Sequence, residues 1–271
     1  MLPTRLRSPA KDECYGRTVP PLTPGVIALL ALVSFAAGLV DAIAGGGGLL
    51  TVPALLAAGL TPHFALGTNK GQAAFGAVSS FASFWVKKNI DRERVPVGFS
   101  FGFLGSLAGA GLLFLFSPER LRPIVLVLLV LAAFAISVRR PKSAPRPIAT
   151  HPRLALAVLA FALGSYDGFF GPGVGSMLIV GNVLLFGDTL TRASGNAKVV
   201  NLASNLAALG LFAHRGTIAW RVAIPMAAAN AAGAYVGARL AITRGDRFVR
   251  GVVLLVVLAL VVKLGWDVLR T

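Results

Sequence analysis

The 271 residues are 56% hydrophobic and only 13% charged, which excludes an ordinary soluble domain and a disordered chain alike. The formal net charge is +16, yet the basic residues fall in short blocks between apolar runs, without the interleaved aromatics that stack on bases, so nucleic acid is not the expected partner. The composition is that of an integral membrane protein whose Lys and Arg set topology, with the lipid bilayer as its first partner.

Residues 1–23 read as a polar N-terminal tail, with Arg5, Arg7, Lys11 and Arg17 beside Asp12 and Glu13. No small-residue cleavage site closes the apolar run that follows, so the tail is expected to stay attached. Cys14 is the only cysteine, which leaves no intramolecular disulfide and no basis for a thiolate metal site.

Apolar runs then recur at 25–43, 67–86, 96–116, 123–138, 154–170, 195–213, 220–241 and 249–267. A spanning helix needs about 20 mostly apolar residues, so the runs at 123–138 and 154–170 must borrow from their flanks.

The chain resembles itself. GLVDAIAGGGGLLTVP (38–53) aligns with GSYDGFFGPGVGSMLI (164–179), setting Asp41 opposite Asp167. In the same order, GTNKGQAAFGAVSSF (67–81) aligns with SGNAKVVNLASNLAAL (194–209), setting Lys70 opposite Lys198. Two ordered matches imply a duplication: a first membrane repeat at 24–138, a basic, proline-containing linker at 139–153, and a second membrane repeat at 154–271.

The short apolar pieces at 49–60 and 174–187 decide the topology. If they are re-entrant, each half spans four times and the halves are parallel; if they cross, each spans five times and the halves are inverted. Putting 87–94 and 139–153 on the inner side with both termini places most Lys and Arg inside. The expected fold is therefore an all-α polytopic membrane protein of about eight transmembrane helices in two homologous four-helix halves, each with a Gly-rich broken or re-entrant helix.

Glycine is the poorest helix former after proline, so four in a row inside an apolar run mark a break. A broken helix frees backbone N–H groups that hydrocarbon cannot satisfy, and the helix restarting after it offers its positive end to an anion. Gly45, Gly46, Gly47 and Gly48, with Gly171, Gly173 and Gly175, are thus candidate substrate-binding positions, the alternative being close helix packing.

Lys70 lies beside Thr68 and Asn69, and Lys198 near Asn196, in each case early in an apolar run. An ammonium at membrane depth faces a pathway or a partner, unless it snorkels to the interface. Lys198, Asn201 and Asn205 share a helix face, whereas the first half offers Ala73 and Ala77 at the aligned positions. Asp41 and Asp167 are candidate counter-ions of the aligned lysine of their own half, proton carriers, or caps on the broken ends.

His63, His151 and His214 have no metal-ligand spacing, and neither a P-loop nor a nucleophilic or paired-carboxylate site can be assembled, so no enzyme activity, metal or cofactor is expected.

At GLVDAIAGGGGLLTVP, ALGTNKGQAAFGA and RASGNAKVVNLASNLAAL the chain resembles the TauE/SafE family of sulfite and organosulfonate exporters, also called the toluene sulfonate uptake permease family, over about residues 25–268. The resemblance implies a multi-pass protein of the bacterial inner membrane, with duplicated halves, that moves small sulfur-containing or organic anions. GPGVG in the second half departs from the plain glycine run of the first. The expected function is a secondary transporter for a small anion, with an anion channel or a transporter of another small solute as alternatives. Both termini are expected in the cytoplasm, and association of the chain with itself is left open.

Overall fold

The computed structural model describes residues 21–138 and 148–269, the side chains at 122, 130, 132–138, 246–247 and 249–269 excepted. Most of the expected tail and linker, with Cys14, lies outside the described residues.

Every regular element among the described residues is helical. In order these are α1 (Pro24–Ala44), α2 (Gly48–Ala57), α3 (Pro62–Val86), a 3-10 turn (Arg92–Arg94), α4 (Val95–Leu113), α5 (Pro118–Val138), α6 (Pro152–Phe169), α7 (Val174–Phe186), α8 (Leu190–His214) and α9 (Trp220–Leu269). The last is broken at Gly245, whose φ of 66° and ψ of −164° separate 220–244 from 246–269.

The local sequence sets these bounds. Thr23 caps α1 by accepting from the Val26 N–H, Pro24 supplies a helical φ at the first position, and Gly45 ends the helix in the left-handed region at φ 75°. Pro62 and Pro152 open α3 and α6 in the same way. At ~1.5 Å per residue, the 10 residues of α2 and the 13 of α7 reach only about 15 and 20 Å, short of a bilayer's ~30 Å hydrocarbon core.

The molecule is apolar outside and polar within. Leu29, Leu32, Leu126, Val127, Val158 and Ile224 are exposed, while Ser34, Asn69, Lys70, Gln72, Asp167, Lys198, Asn201 and Asn230 are buried. Such a surface suits lipid rather than water. Among the described residues α1 and the stretch Arg92–Leu113 are long and apolar enough to cross a membrane outright, and α7 with α8 qualifies as a pair bent by 119°. The apolar average of α3 and α8 is lowered by the polar residues they carry inward.

Close helix contacts reveal the directions. A Cβ on Gly233 would lie 2.0 Å from the Phe35 carbonyl oxygen, and one on Gly237 2.3 Å from that of Leu39, so α1 and α9 advance together. Likewise Gly105 meets the Phe161 carbonyl and Gly109 that of Ser165, so α4 and α6 are parallel. By contrast α3 and α8 are antiparallel. Gly67 near the start of α3 packs on the Thr217 carbonyl beyond the end of α8, and Gly195 near the start of α8 packs on the Asn89 carbonyl beyond the end of α3.

The aligned segments on α3 and α8 therefore run in opposite directions, which overturns the expectation of parallel halves. Ala149, just before α6, bonds through its N–H to the Leu185 carbonyl at the α3-terminal, α8-initial end of the bundle. Leu22, just before α1, packs with Leu60 and Ala219 at the other end. Ala149 and Leu22 thus lie at opposite ends of the bundle, not at the same one. Charge counting took the cations of the 87–94 loop as free topology signals, whereas Arg94 pairs with Asp188 at 2.8 Å and with Asp91 at 3.2 Å, and Arg92 lies over the Trp85 ring at 4.9 Å.

Candidate functional site

The two glycine breaks cross each other in the middle of this inverted arrangement. The Ser176 N–H donates to the Gly45 carbonyl at 3.0 Å, and the Ser176 hydroxyl donates to the Ala44 carbonyl. A Cβ on Gly45 would fall 2.1 Å from the Gly175 carbonyl carbon, and one on Gly175 would fall 2.5 Å from Gly45 Cα. No side chain fits between these strands of backbone. For Gly45 and Gly175, then, close packing is the observed role, with a left-handed φ as a further demand at Gly45.

Two helices restart at the crossing, α2 after Gly47 and α7 after Gly173, and neither cap residue supplies a side-chain bond. The Asp41 carboxylate fills the gap for α2, its Oδ1 accepting from the Gly47 N–H at 3.3 Å. Gly47 leaves room for this, since a Cβ there would stand 2.8 Å from that of Asp41.

The lysines arrive from the long antiparallel helices and pair across the halves, not within them. Lys70 on α3 reaches Asp167 on α6, Nζ to Oδ1 at 2.7 Å. Lys198 on α8 reaches Asp41 on α1, Nζ to Oδ2 at 3.1 Å, and also donates to the Asp41 carbonyl. The expected pairs, Asp41 with Lys70 and Asp167 with Lys198, are corrected by inversion, which carries each lysine to the far half's acid.

The environments of the two pairs differ. Asp167 is 4% exposed and its second oxygen accepts a very short bond from the Ser204 hydroxyl. Gly171 covers this pair: a Cβ there would be 2.9 Å from both the Asp167 oxygen and the Lys70 nitrogen. Asp41 is 28% exposed, and its Oδ2 also accepts from the Asn201 amide at 3.2 Å, while Asn205 donates to the Asn201 side-chain oxygen at 2.7 Å.

Between the pairs lies a cavity of about 30 Å³, enough for a water molecule. Asp41, Gly45, Gly47, Gly48, Asn69, Lys70, Asp167, Gly171, Gly173, Asn201 and Asn205 all line it. Gly46, Thr68, Gly175, Asn196 and Lys198 do not. Thr68 accepts from the Ala219 N–H at 3.0 Å, and Asn196 holds the Asp91 N–H and Asp188 at 2.8 Å each, so both tie loops at opposite ends of the bundle. Lys198 stands behind Asp41.

Residues not singled out from the sequence complete the site. Gln72 and Asn230 line the cavity. Gln72 donates to Asn69 at 2.9 Å and accepts from Ser34 at 2.7 Å, Thr51 donates to Asn69 at 2.6 Å, and Asn230 donates to the Ser34 carbonyl at 3.0 Å. A polar side chain inside an apolar run was the available signal, clearest for Asn230 within 220–241. His63 is buried against Phe114, centroids 5.8 Å apart, and among the described residues no group of three or more His, Cys, Asp or Glu stands together.

Comparison with known proteins agrees with this membrane architecture. Residues 30–264 match the family model described as sulfite exporter TauE/SafE. The chain belongs to the TauE/SafE family. It is 36% identical over 244 residues to a probable membrane transporter protein of Haemophilus influenzae, covering 89% of this chain and 95% of that protein. It is 33% identical over 247 residues to the probable membrane transporter protein YfcA of Escherichia coli K12, covering 91% and 92%. A Sinorhizobium protein named probable membrane transporter protein ORF9 is 34% identical over 247 residues. No solved structure matches the chain. This TauE/SafE member is thus a membrane protein of a probable transporter family, and its relatives' names specify no substrate.

Proposed function

We propose that this chain is a secondary transporter of small anions, sulfur-containing oxyanions such as sulfite or sulfonates being the foremost class, and that the cavity at the crossed glycine breaks binds them. The observation that carries the reading is the convergence of two helix N-termini, the α7 one without a side-chain cap, Lys70 and five amides on one buried point, with Lys198 behind Asp41. Each helix terminus contributes about half a positive charge, and amide N–H groups direct oxygen atoms. Carrier action is favoured over a channel because the crossing backbones leave only about 30 Å³, so a ligand of several heavy atoms needs the halves to move apart.

Inverted halves are a frequent architecture for such rocking carriers. In this reading the protein lies in a bacterial inner membrane with both termini in the cytoplasm and the 139–153 linker outside. Reporters fused after Thr23 and after Ala144 are expected on opposite sides; the same side for both contradicts the inversion.

The functional test is a screen of the purified chain for thermal stabilisation by sulfite, sulfonates and carboxylates, followed by flux in proteoliposomes. A stabilising sulfur oxyanion with saturable flux is expected. Flux that rises without saturation would establish the channel instead, and stabilisation by cations or neutral solutes alone would refute the anion site.

A further inference from the structure

We propose that Asp41 is the binding site of a co-transported proton, and that protonating it transfers the Lys198 ammonium to the anion. The inference rests on the reading of the cavity as an anion site. Its starting point is charge. Lys70 and Lys198 bring two positive charges and Asp41 and Asp167 two negative ones, so the side chains of the site sum to zero charge. Among the described residues, helices α2, α7 and α9 bring no ionisable side chain to the cavity; α9 supplies Asn230.

A monoanion entering this neutral, buried site would leave an uncompensated charge in a low-dielectric interior, which is the costly condition. One proton removes the cost. When Asp41 Oδ2 takes it, the carboxylate becomes a neutral acid, Lys198 keeps its three protons, and the anion becomes the counter-ion of that ammonium. Side-chain plus ligand charge is zero before and after. The loaded carrier then moves one anion and one proton together.

The geometry selects Asp41 over Asp167. Asp41 is 28% exposed against 4%, and its contact with lysine is longer, 3.1 against 2.7 Å. Both oxygens of each carboxylate accept bonds, but those of Asp167 lie beneath Gly171, shut from the cavity side, whereas those of Asp41 are reached from it. Lys198 also holds the Asp41 backbone carbonyl, a contact that survives protonation and keeps the ammonium directly behind the Asp41 carboxylate, one side chain from the cavity. Finally, the Asp41 carboxylate already occupies an anion's place at the α2 N-terminus, accepting from the Gly47 N–H. An incoming oxyanion has that donor, the ammonium and the Asn201 amide to inherit.

The test is calorimetric titration of the purified full-length chain with methanesulfonate, which stays a monoanion throughout, in two buffers of different ionisation enthalpy. About one proton taken up per anion bound is expected, with affinity falling by up to about tenfold per unit rise in pH. The infrared difference spectrum should gain one protonated-carboxyl band on binding. Asp41→Asn is expected to bind without proton uptake and without that band, with an affinity independent of pH. Binding to the wild type with no proton uptake would overturn the proposal, and so would unchanged uptake in Asp41→Asn. If the wild type fails to bind methanesulfonate, sulfite or acetate at every pH, the anion-site reading itself falls and takes this inference with it. The wild-type proton count and spectrum decide the coupling even if the variant does not fold.

Discussion

The two lysine–aspartate pairs occupy positions that align within the sequence, yet one is a sealed pair and the other an open one. Lys70–Asp167 is almost fully buried, capped by the Ser204 hydroxyl and roofed by the Gly171 backbone. Asp41 faces the cavity with Lys198 behind it, and two asparagines one helical turn apart stand beside them where the first half has Ala73 and Ala77. Aligned residues can share a position in the fold while differing in the task their surroundings allow. In a neutral, buried cross-link both charges must persist for the fold, whereas the partly exposed carboxylate at a helix N-terminus is the one proposed to exchange its partner.

Breaking the sealed pair is expected to have the largest effect. Asp167→Asn leaves the Lys70 ammonium buried without its counter-ion, a change that typically costs about 3–5 kcal/mol. A large drop in the thermal unfolding midpoint of the purified protein is expected, with substantial recovery in Lys70→Met with Asp167→Asn. An unshifted midpoint in the single variant would show that this pair is not a fastener.

Asp41→Asn should cost less, about 1–3 kcal/mol, because the amide keeps a polar group beside Asn201 and Lys198 retains the Asp41 backbone carbonyl. The midpoint shift should accordingly be clearly smaller than for Asp167→Asn; equal shifts would erase the distinction between sealed and open. Smallest is Asn201→Ala, expected at about 1 kcal/mol of stability from lost hydrogen bonds to Asp41 and Asn205. Its effect on anion binding should exceed its effect on the unfolding midpoint. A variant that binds the stabilising anion like the wild type would remove Asn201 from the site.

Much of this site was legible in the sequence because glycine and charge are expensive inside a membrane. The breaks before α2 and α7, the four charged residues and the Asn201–Asn205 face all announced themselves against an apolar background. What hydropathy could not reveal was which acid meets which lysine. Asp41 and Lys70 are 29 positions apart, Asp41 and Lys198 157, and only the antiparallel course of α3 and α8 makes the distant residue the neighbour. The same blindness misplaced Asn196 and Thr68. Both lie within two positions of a lysine in sequence, but they point along their helices to the ends, where they bond the Asp91 and Ala219 N–H groups. Ser204 went unremarked because a hydroxyl barely lowers the hydropathy of a run, although it holds the buried carboxylate.

Whether charge pairs join the first and second parts of the chain can be read from double-mutant cycles on thermal stability. Single and double neutralisations of Asp41, Lys70, Asp167 and Lys198 give four couplings. The account predicts coupling of about 0.5–3 kcal/mol for Asp41 with Lys198 and for Lys70 with Asp167, and near zero for Asp41 with Lys70 and for Asp167 with Lys198. Coupling confined to the pairs within each half would contradict it.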